Sequence, residues 1–217
     1  KYDLTIVDNN SIKIDLSFQD LDKFFVEQIN IIGNFITEEK VIRNSLIVDE
    51  GDAYNKILFN KSINEIKSKD IFKSVTSEIN DSDLENNKKI INIIVEEKPT
   101  GEIFAGAGTG TSGATVSAGI SENNYLGKGI RLSTNLAIAE EEIKGKFSVV
   151  NPNFNNTDRS LNATVESSTS DFLSTGGFKT SRTGFSMGTG FEQYQDLYVN
   201  FDVSTYYEKL ETASTAS

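Results

Sequence analysis

Residues 96–129 read Glu-Glu-Lys-Pro-Thr-Gly-Glu-Ile-Phe-Ala-Gly-Ala-Gly-Thr-Gly-Thr-Ser-Gly-Ala-Thr-Val-Ser-Ala-Gly-Ile-Ser-Glu-Asn-Asn-Tyr-Leu-Gly-Lys-Gly, and the chain changes character inside them. Before this stretch, charged helical segments alternate with short strands. After it, strand pattern and polar turns dominate. Pro99 cannot donate to a sheet ladder, so it suits a strand end. Gly106, Gly108 and Gly110 recur at every second position, which places all three on one face of a strand. A strand stripped of those side chains is expected to pair weakly and to tolerate register slips.

Downstream the alternation is clean. Ile130, Leu132, Thr134, Leu136 and Ile138 share one face, with Arg131, Ser133, Asn135 and Ala137 on the other. Ile143 to Val149, Leu161 to Val165, Phe185 to Phe191 and Leu197 to Val203 repeat the pattern. With two strands before Gly127, this predicts seven strands joined only by turns. A soluble sandwich alternates in the same way. Here, however, the polar face carries charges and amides along whole strands, which fits a wet interior with lipid outside. Strands of about 9 to 11 residues suit a tilted membrane span. The turns at 123–129, 151–160 and 192–196 fall at one rim. Those at 111–113, 139–142 and 172–183 fall at the other, the last as a long loop.

Upstream, residues 2–7 and 12–18 predict a hairpin around Asp8-Asn9-Asn10-Ser11. Phe25 to Ile32 predicts a strand. Thr37 is the expected cap of a first helix carrying Val41, Ile42 and Leu46. Asn55 is the expected cap of a second helix with Leu58, Phe59, Ile63 and Ile66 as its apolar face. Strands over 71–79 and 90–95 flank a polar loop at 81–89. The order β-α-α-β-β packs naturally as one sheet with two helices on a face.

Composition narrows the function classes. The formal charge is -11, from 21 basic and 32 acidic residues, which opposes a nucleic-acid partner. There is no Cys and no His, so the thiolate sites and the commonest general base are lacking. The Gly-x-Gly-x-Gly run does not precede a helix, so it is no phosphate loop. Acid clusters at 81–85 and 140–142 could hold Ca²⁺ weakly, but such runs are ordinarily solvated loops. No catalytic residues, metal site or cofactor are expected. Residues 1–21 contain no apolar leader core, and the first residue already lies in strand pattern, so the sequence reads as part of a longer protein.

Four stretches carry a family resemblance. They are Val26-Glu27-Gln28-Ile29-Asn30-Ile31-Ile32-Gly33-Asn34, then Glu50-Gly51-Asp52-Ala53-Tyr54-Asn55 with Ile71-Phe72-Lys73-Ser74-Val75, then 113–129, and Val150-Asn151-Pro152-Asn153-Phe154. In order and spacing the chain resembles the BamA family, which assembles β-barrels in bacterial outer membranes. The resemblance implies an α+β POTRA domain followed by the N-terminal part of an antiparallel transmembrane β-barrel. Residues 1–21 would end a preceding POTRA domain, 22–98 would be the last POTRA, and 99–217 the first seven strands of an incomplete barrel. The expected shape is a curved open sheet.

The implied location is the outer membrane, with POTRA domains in the periplasm. The implied partners are nascent outer-membrane β-barrel proteins, accessory lipoproteins of the assembly complex and outer-membrane lipid. Ile103, Phe104, Ala105, Gly106, Ala107, Gly108, Thr109 and Gly110 would form a lateral seam where a client strand pairs. The residue-level alternative is that the glycines relieve crowding at a tight bend. Phe72, Lys73, Ser74, Val75 and Thr76 would form a POTRA edge strand open to augmentation, or simply a guarded edge. Glu50 resembles the acid that meets a lipoprotein partner, or is a solvated loop residue. Rival classes are a two-partner secretion or TamA-type transporter and a soluble β-rich binding protein.

Overall fold

The computed structural model describes residues 2–8, 11–16, 23–82, 86–110, 113–194 and 197–213. The expected turns at 9–10, 83–85, 111–112 and 195–196 lie outside these residues.

A hairpin of β1 (Tyr2–Asp8) and β2 (Ser11–Leu16) comes first. Next come β3 (Phe25–Ile32), α1 (Glu39–Arg43), α2 (Lys56–Ser68), β4 (Phe72–Asp81) and β5 (Lys88–Glu97). These three strands form a sheet in the order β3-β5-β4, with β3 parallel and β4 antiparallel to the central β5. Ile91, Ile93 and Val95 lie on the sheet's buried face, and Ile42, Phe59, Ile63 and Ile66 come down on them from the helices. Each fully buried Ile contributes roughly 2 kcal/mol through the apolar area withdrawn from water. Gly33 closes β3 at φ 96°, where a Cβ would lie 2.1 Å from the Val95 carbonyl oxygen. Only glycine tolerates that approach.

Two helix details differ from expectation. The N-cap of α1 is Glu38, and Thr37 makes no cap because its side chain is committed elsewhere, as described below. The buried face of α2 is Phe59, Ser62, Ile63 and Ile66, while Leu58 is partly exposed. The Ser62 hydroxyl accepts from Ile47 N–H at 2.8 Å and donates to the Leu58 carbonyl at 3.1 Å. A buried polar group thereby tethers the chain between the helices. The cap of α2 is as expected: the Asn55 side chain accepts from the N–H groups of Ile57 and Leu58.

A seven-stranded antiparallel sheet follows: β6 (Gly101–Gly110), β7 (Gly113–Tyr125), β8 (Ile130–Ala139), β9 (Glu142–Asn151), β10 (Arg159–Phe172), β11 (Phe178–Tyr194) and β12 (Leu197–Thr212). Every strand pairs with its sequence neighbour. The registers run whole rows across the sheet. Ile103, Ile120, Thr134, Phe147, Val165, Phe185 and Thr205 form one row on the apolar face. Ser117, Ala137, Lys144, Ser168, Arg182 and Glu208 form another on the polar face, with Gly106 at its end.

Strands β10, β11 and β12 have 14, 17 and 16 residues, longer than the expected span. The long loop expected at 172–183 is therefore mostly strand: Phe172 pairs with Phe178, leaving a five-residue turn. At about 3.3 Å per residue, β11 is about 56 Å long, well beyond the roughly 25 Å apolar band of a barrel wall even when tilted. Both faces of that extension are therefore expected to be wet, which explains the lack of hydrophobic alternation there.

Candidate functional site

Strand β6 forms one edge of the described sheet and β12 the other. The glycine row lies on the polar face of β6. A Cβ on Gly108 or Gly110 would meet nothing within 4 Å, and one on Gly106 would meet only the Ser117 hydroxyl at 3.6 Å. Crowding therefore does not require glycine at these positions. β6 pairs with β7 in one register at ten consecutive positions, Gly101–Glu122 to Gly110–Gly113. Backbone groups make the ladder, so missing side chains weaken it without shifting it. Ile103, Ala105, Ala107 and Thr109 alternate onto the apolar face. Phe104 joins the glycines on the polar face, and its ring lies across Gly119, occupying the space of the absent side chain.

The upstream sheet also has two edges, and they differ. The 50–53 segment covers β3. Gly51 N–H donates to the Val26 carbonyl at 2.7 Å, Val26 N–H donates to the Asp52 carbonyl at 2.8 Å, and Phe25 bridges Ala53. The Glu50 carboxylate accepts from Ile29 N–H at 2.9 Å and sits 3.6 Å from the Arg43 guanidinium. Glu50 thus helps to close an edge while its side chain remains 44% exposed. The outer edge of β4 carries no paired strand among the described residues. Along it Phe72 and Val75 point into the core, while Lys73, Ser74 and Thr76 are exposed. Lys73 and Ser74 both engage Glu96 on β5. A groove of about 520 Å³ lies between α2 and β4, lined by Asn60, Ile63, Lys67, Val75 and Thr76 among others.

The residues missed in the sequence are those that join the two sheets. The Glu97 carboxylate accepts from the N–H groups of Phe35, Ile36 and Thr37, the last at 2.6 Å. The Thr37 hydroxyl accepts from the Asn124 amide at 2.9 Å, and the Asn124 Oδ1 accepts from Gly129 N–H at 2.8 Å. Glu38 N–H donates to the Gly127 carbonyl at 2.8 Å. The Glu122 carboxylate accepts from Asn124 N–H and from the Thr100 hydroxyl. Asn124 is buried, with its backbone N–H, Nδ2 and Oδ1 each hydrogen-bonded. On the polar-face side, Lys69, the C-cap of α2, reaches Asn153 at 3.5 Å. Burial, with the Arg131 charge nearby, pushes the Lys69 pKa down. A cleft of about 650 Å³ opens there between the end of α2 and the near rim of the sheet, lined by Glu65, Lys69, Arg131, Asp158, Ser160 and Asn200 among others.

Burial alone would raise the Glu97 pKa. The Thr37 hydroxyl and the three backbone N–H donors outweigh it and hold the carboxyl below its ordinary range. A depressed carboxylate stabilises the fold above its unfolded pKa, and that contribution is lost as pH falls through the folded value. The joint is therefore expected to be fully made at neutral pH and to loosen only below about pH 4.3. Glu97→Gln keeps an acceptor but removes the charge, so it is expected to cost about 1–2 kcal/mol and to flatten this acid response. Limited proteolysis of the joint across a pH series measures both.

Residues 24–98 match the POTRA family (surface antigen variable number repeat), and residues 124–217 match the Omp85 superfamily domain. The chain is thus a POTRA domain joined to an Omp85-superfamily barrel wall. Within that class it is BamA-like. It is 28% identical over 127 residues to outer membrane protein assembly factor BamA of Neorickettsia risticii, which covers 57% of this chain and 17% of that protein. It is 28% identical over 160 residues to BamA of Buchnera aphidicola, covering 72% of this chain and 26% of that protein. These matches span about a sixth to a quarter of the length of those relatives.

The fold superposes on the crystal structure of Haemophilus ducreyi BamA lacking POTRA domains 1–3 with a TM-score of 0.74 at 21% identity. That match covers 98% of this chain and 41% of the other. CdiB from Escherichia coli gives 0.64 at 14% identity, covering 97% and 41%. The strand wall accordingly belongs in an outer membrane, with its apolar face toward lipid and its polar face toward the lumen, and the POTRA domain lies on the periplasmic side.

Proposed function

We propose that this chain is part of a protein that folds and inserts β-barrel proteins into the outer membrane, with β6 as the strand that receives a client. The observation that carries the reading is the first strand of the wall, whose polar face lacks side chains at Gly106, Gly108 and Gly110, with open space at the last two. Backbone donors and acceptors at an unpaired edge template an incoming strand without demanding particular side chains. Residues 103–110 act as the seam.

In this reading residues 1–21 end a preceding POTRA domain, 22–98 form the last one and 99–217 begin the barrel. The open edge of β4 at 72–76, beside its groove, handles clients earlier by strand addition. Glu50, half exposed on the closed edge, is the contact for an accessory lipoprotein. The clients are nascent outer-membrane barrels, and the wall's apolar face meets outer-membrane lipid.

Cysteines at Gly106 or Ala107 in the full-length protein, paired with cysteines along a client's terminal strand, test the seam. Disulfide capture during insertion is expected at both positions and absent from a matched site on β9. An active protein that captures no client at either position would sink the seam reading. A transporter of the CdiB kind shares the fold, and secretion of a partner without barrel insertion would favour it instead.

A further inference from the structure

We infer that the loop at Phe35 and Ile36, together with Leu126, is a membrane finger that seats the POTRA domain on the periplasmic leaflet beside β6 and β7. These side chains are 93%, 72% and 68% exposed, unusual for large apolar groups held in a well-bonded loop.

Their position argues for lipid as the occupant. Tyr125 pairs with Ile130, which alternates onto the lipid face with Leu132. Glu122, on the lipid-side row of β7, lines the same pocket as Ile36, Leu126 and Gly127. The loop therefore meets the barrel rim from its lipid side. It continues the apolar belt of Ile103 and Ile120 downward into the headgroup zone.

The backbone is also prepared for a dry environment. Backbone groups beside lipid must be satisfied internally. The N–H groups of Phe35, Ile36 and Thr37 all donate to Glu97, and the carbonyl of Gly127 accepts from Glu38. Lys128 lines a neighbouring cleft with Ile130 and with Lys40, which is ion-paired with Glu38 at 2.5 Å; basic side chains of this kind suit a lipid interface.

This inference rests on the outer-membrane placement and not on strand capture at β6. An environment-sensitive dye on Phe35→Cys tests it in the full-length protein, reconstituted in phosphatidylethanolamine–phosphatidylglycerol vesicles. These 217 residues supply no competing thiol, and any cysteine elsewhere is changed to serine. The control is Ile57→Cys, 80% exposed at the far end of α2, about 18 Å of helix away from the rim.

A nitroxide at headgroup depth is expected to quench the dye at 35 about threefold or more over the dye at 57, as for a side chain seated in the interface. Equal quenching at the two sites overturns the finger. A blue-shifted dye at 35 that lipid nitroxide does not quench means that protein covers the patch, and this overturns it too.

Discussion

A Gly127→Ala protein is expected to lose the fixed angle between POTRA domain and barrel wall. Gly127 sits at φ 71°, and a Cβ there would lie 2.0 Å from the Ile36 carbonyl oxygen. Both contacting groups are backbone, so no rotamer change relieves the clash. Left-handed alanine alone costs about 1 kcal/mol. The collision adds more, and the total reaches roughly 3 kcal/mol unless the interface parts. Parting breaks the Glu38–Gly127 bond and strains the Thr37–Asn124 bond beside it. Gly177→Ala is the matched control: its φ is 75° but nothing lies within 4 Å, so it should show only the smaller conformational cost. Spin labels at Glu65 and Asp158, on opposite sides of the cleft, measure the effect. A narrow distance distribution should broaden in Gly127→Ala and stay narrow in Gly177→Ala. An unchanged distribution in both would show that the joint is not what fixes the angle.

The second large effect is expected from Gly108→Val. The position is open, so the valine fits without collision, and barrel stability should move by no more than about 0.5 kcal/mol. A β-branched residue stiffens the strand and packs toward Thr115, its partner on β7. Both changes hold β6 in its own sheet and oppose the bending that the proposed client pairing requires. Insertion should slow about tenfold, a barrier increase of about 1.4 kcal/mol. Client insertion into vesicles, measured beside denaturant unfolding of the variant, separates the two quantities. Equal changes in rate and stability would favour a glycine row that merely shapes the wall.

The sequence made the wall legible because a membrane enforces period two on every strand that crosses it. Leu132 and Phe147 face lipid while Arg131 and Lys146 face water, and no other arrangement satisfies both. Where the strands rise beyond the membrane, that constraint ends. Residues 172–183 lack the alternation and read as loop, yet 178–183 pair with 167–172 and only 173–177 turn. The POTRA helices were visible in apolar spacing, but Ser62 on the buried face was not, since its burial depends on Ile47 coming within reach. The joint was the least legible part. Thr37 looks like a helix cap because threonine usually serves that role before two glutamates. Only the approach of Asn124, distant in sequence, gives its hydroxyl another use. Of that joint the local sequence offered one signal, the Asn-Asn-Tyr-Leu-Gly-Lys-Gly turn, which marked a place without naming its partner.

The ring of Phe104 across Gly119 divides β6 mechanically. From Gly101 to Ala105 the strand is rooted, by that aromatic and by the contacts around Glu122. From Gly106 to Gly110 it is a cantilever, fastened to its neighbour by ladder bonds and by the small side chains of Ala107 and Thr109 opposite Val116 and Ala114. A beam held at its base deflects most at its tip. On the proposed function, the travel of this strand is greatest at the rim opposite the POTRA domain, and a client chain arriving from the periplasm meets the rigid root before the yielding end.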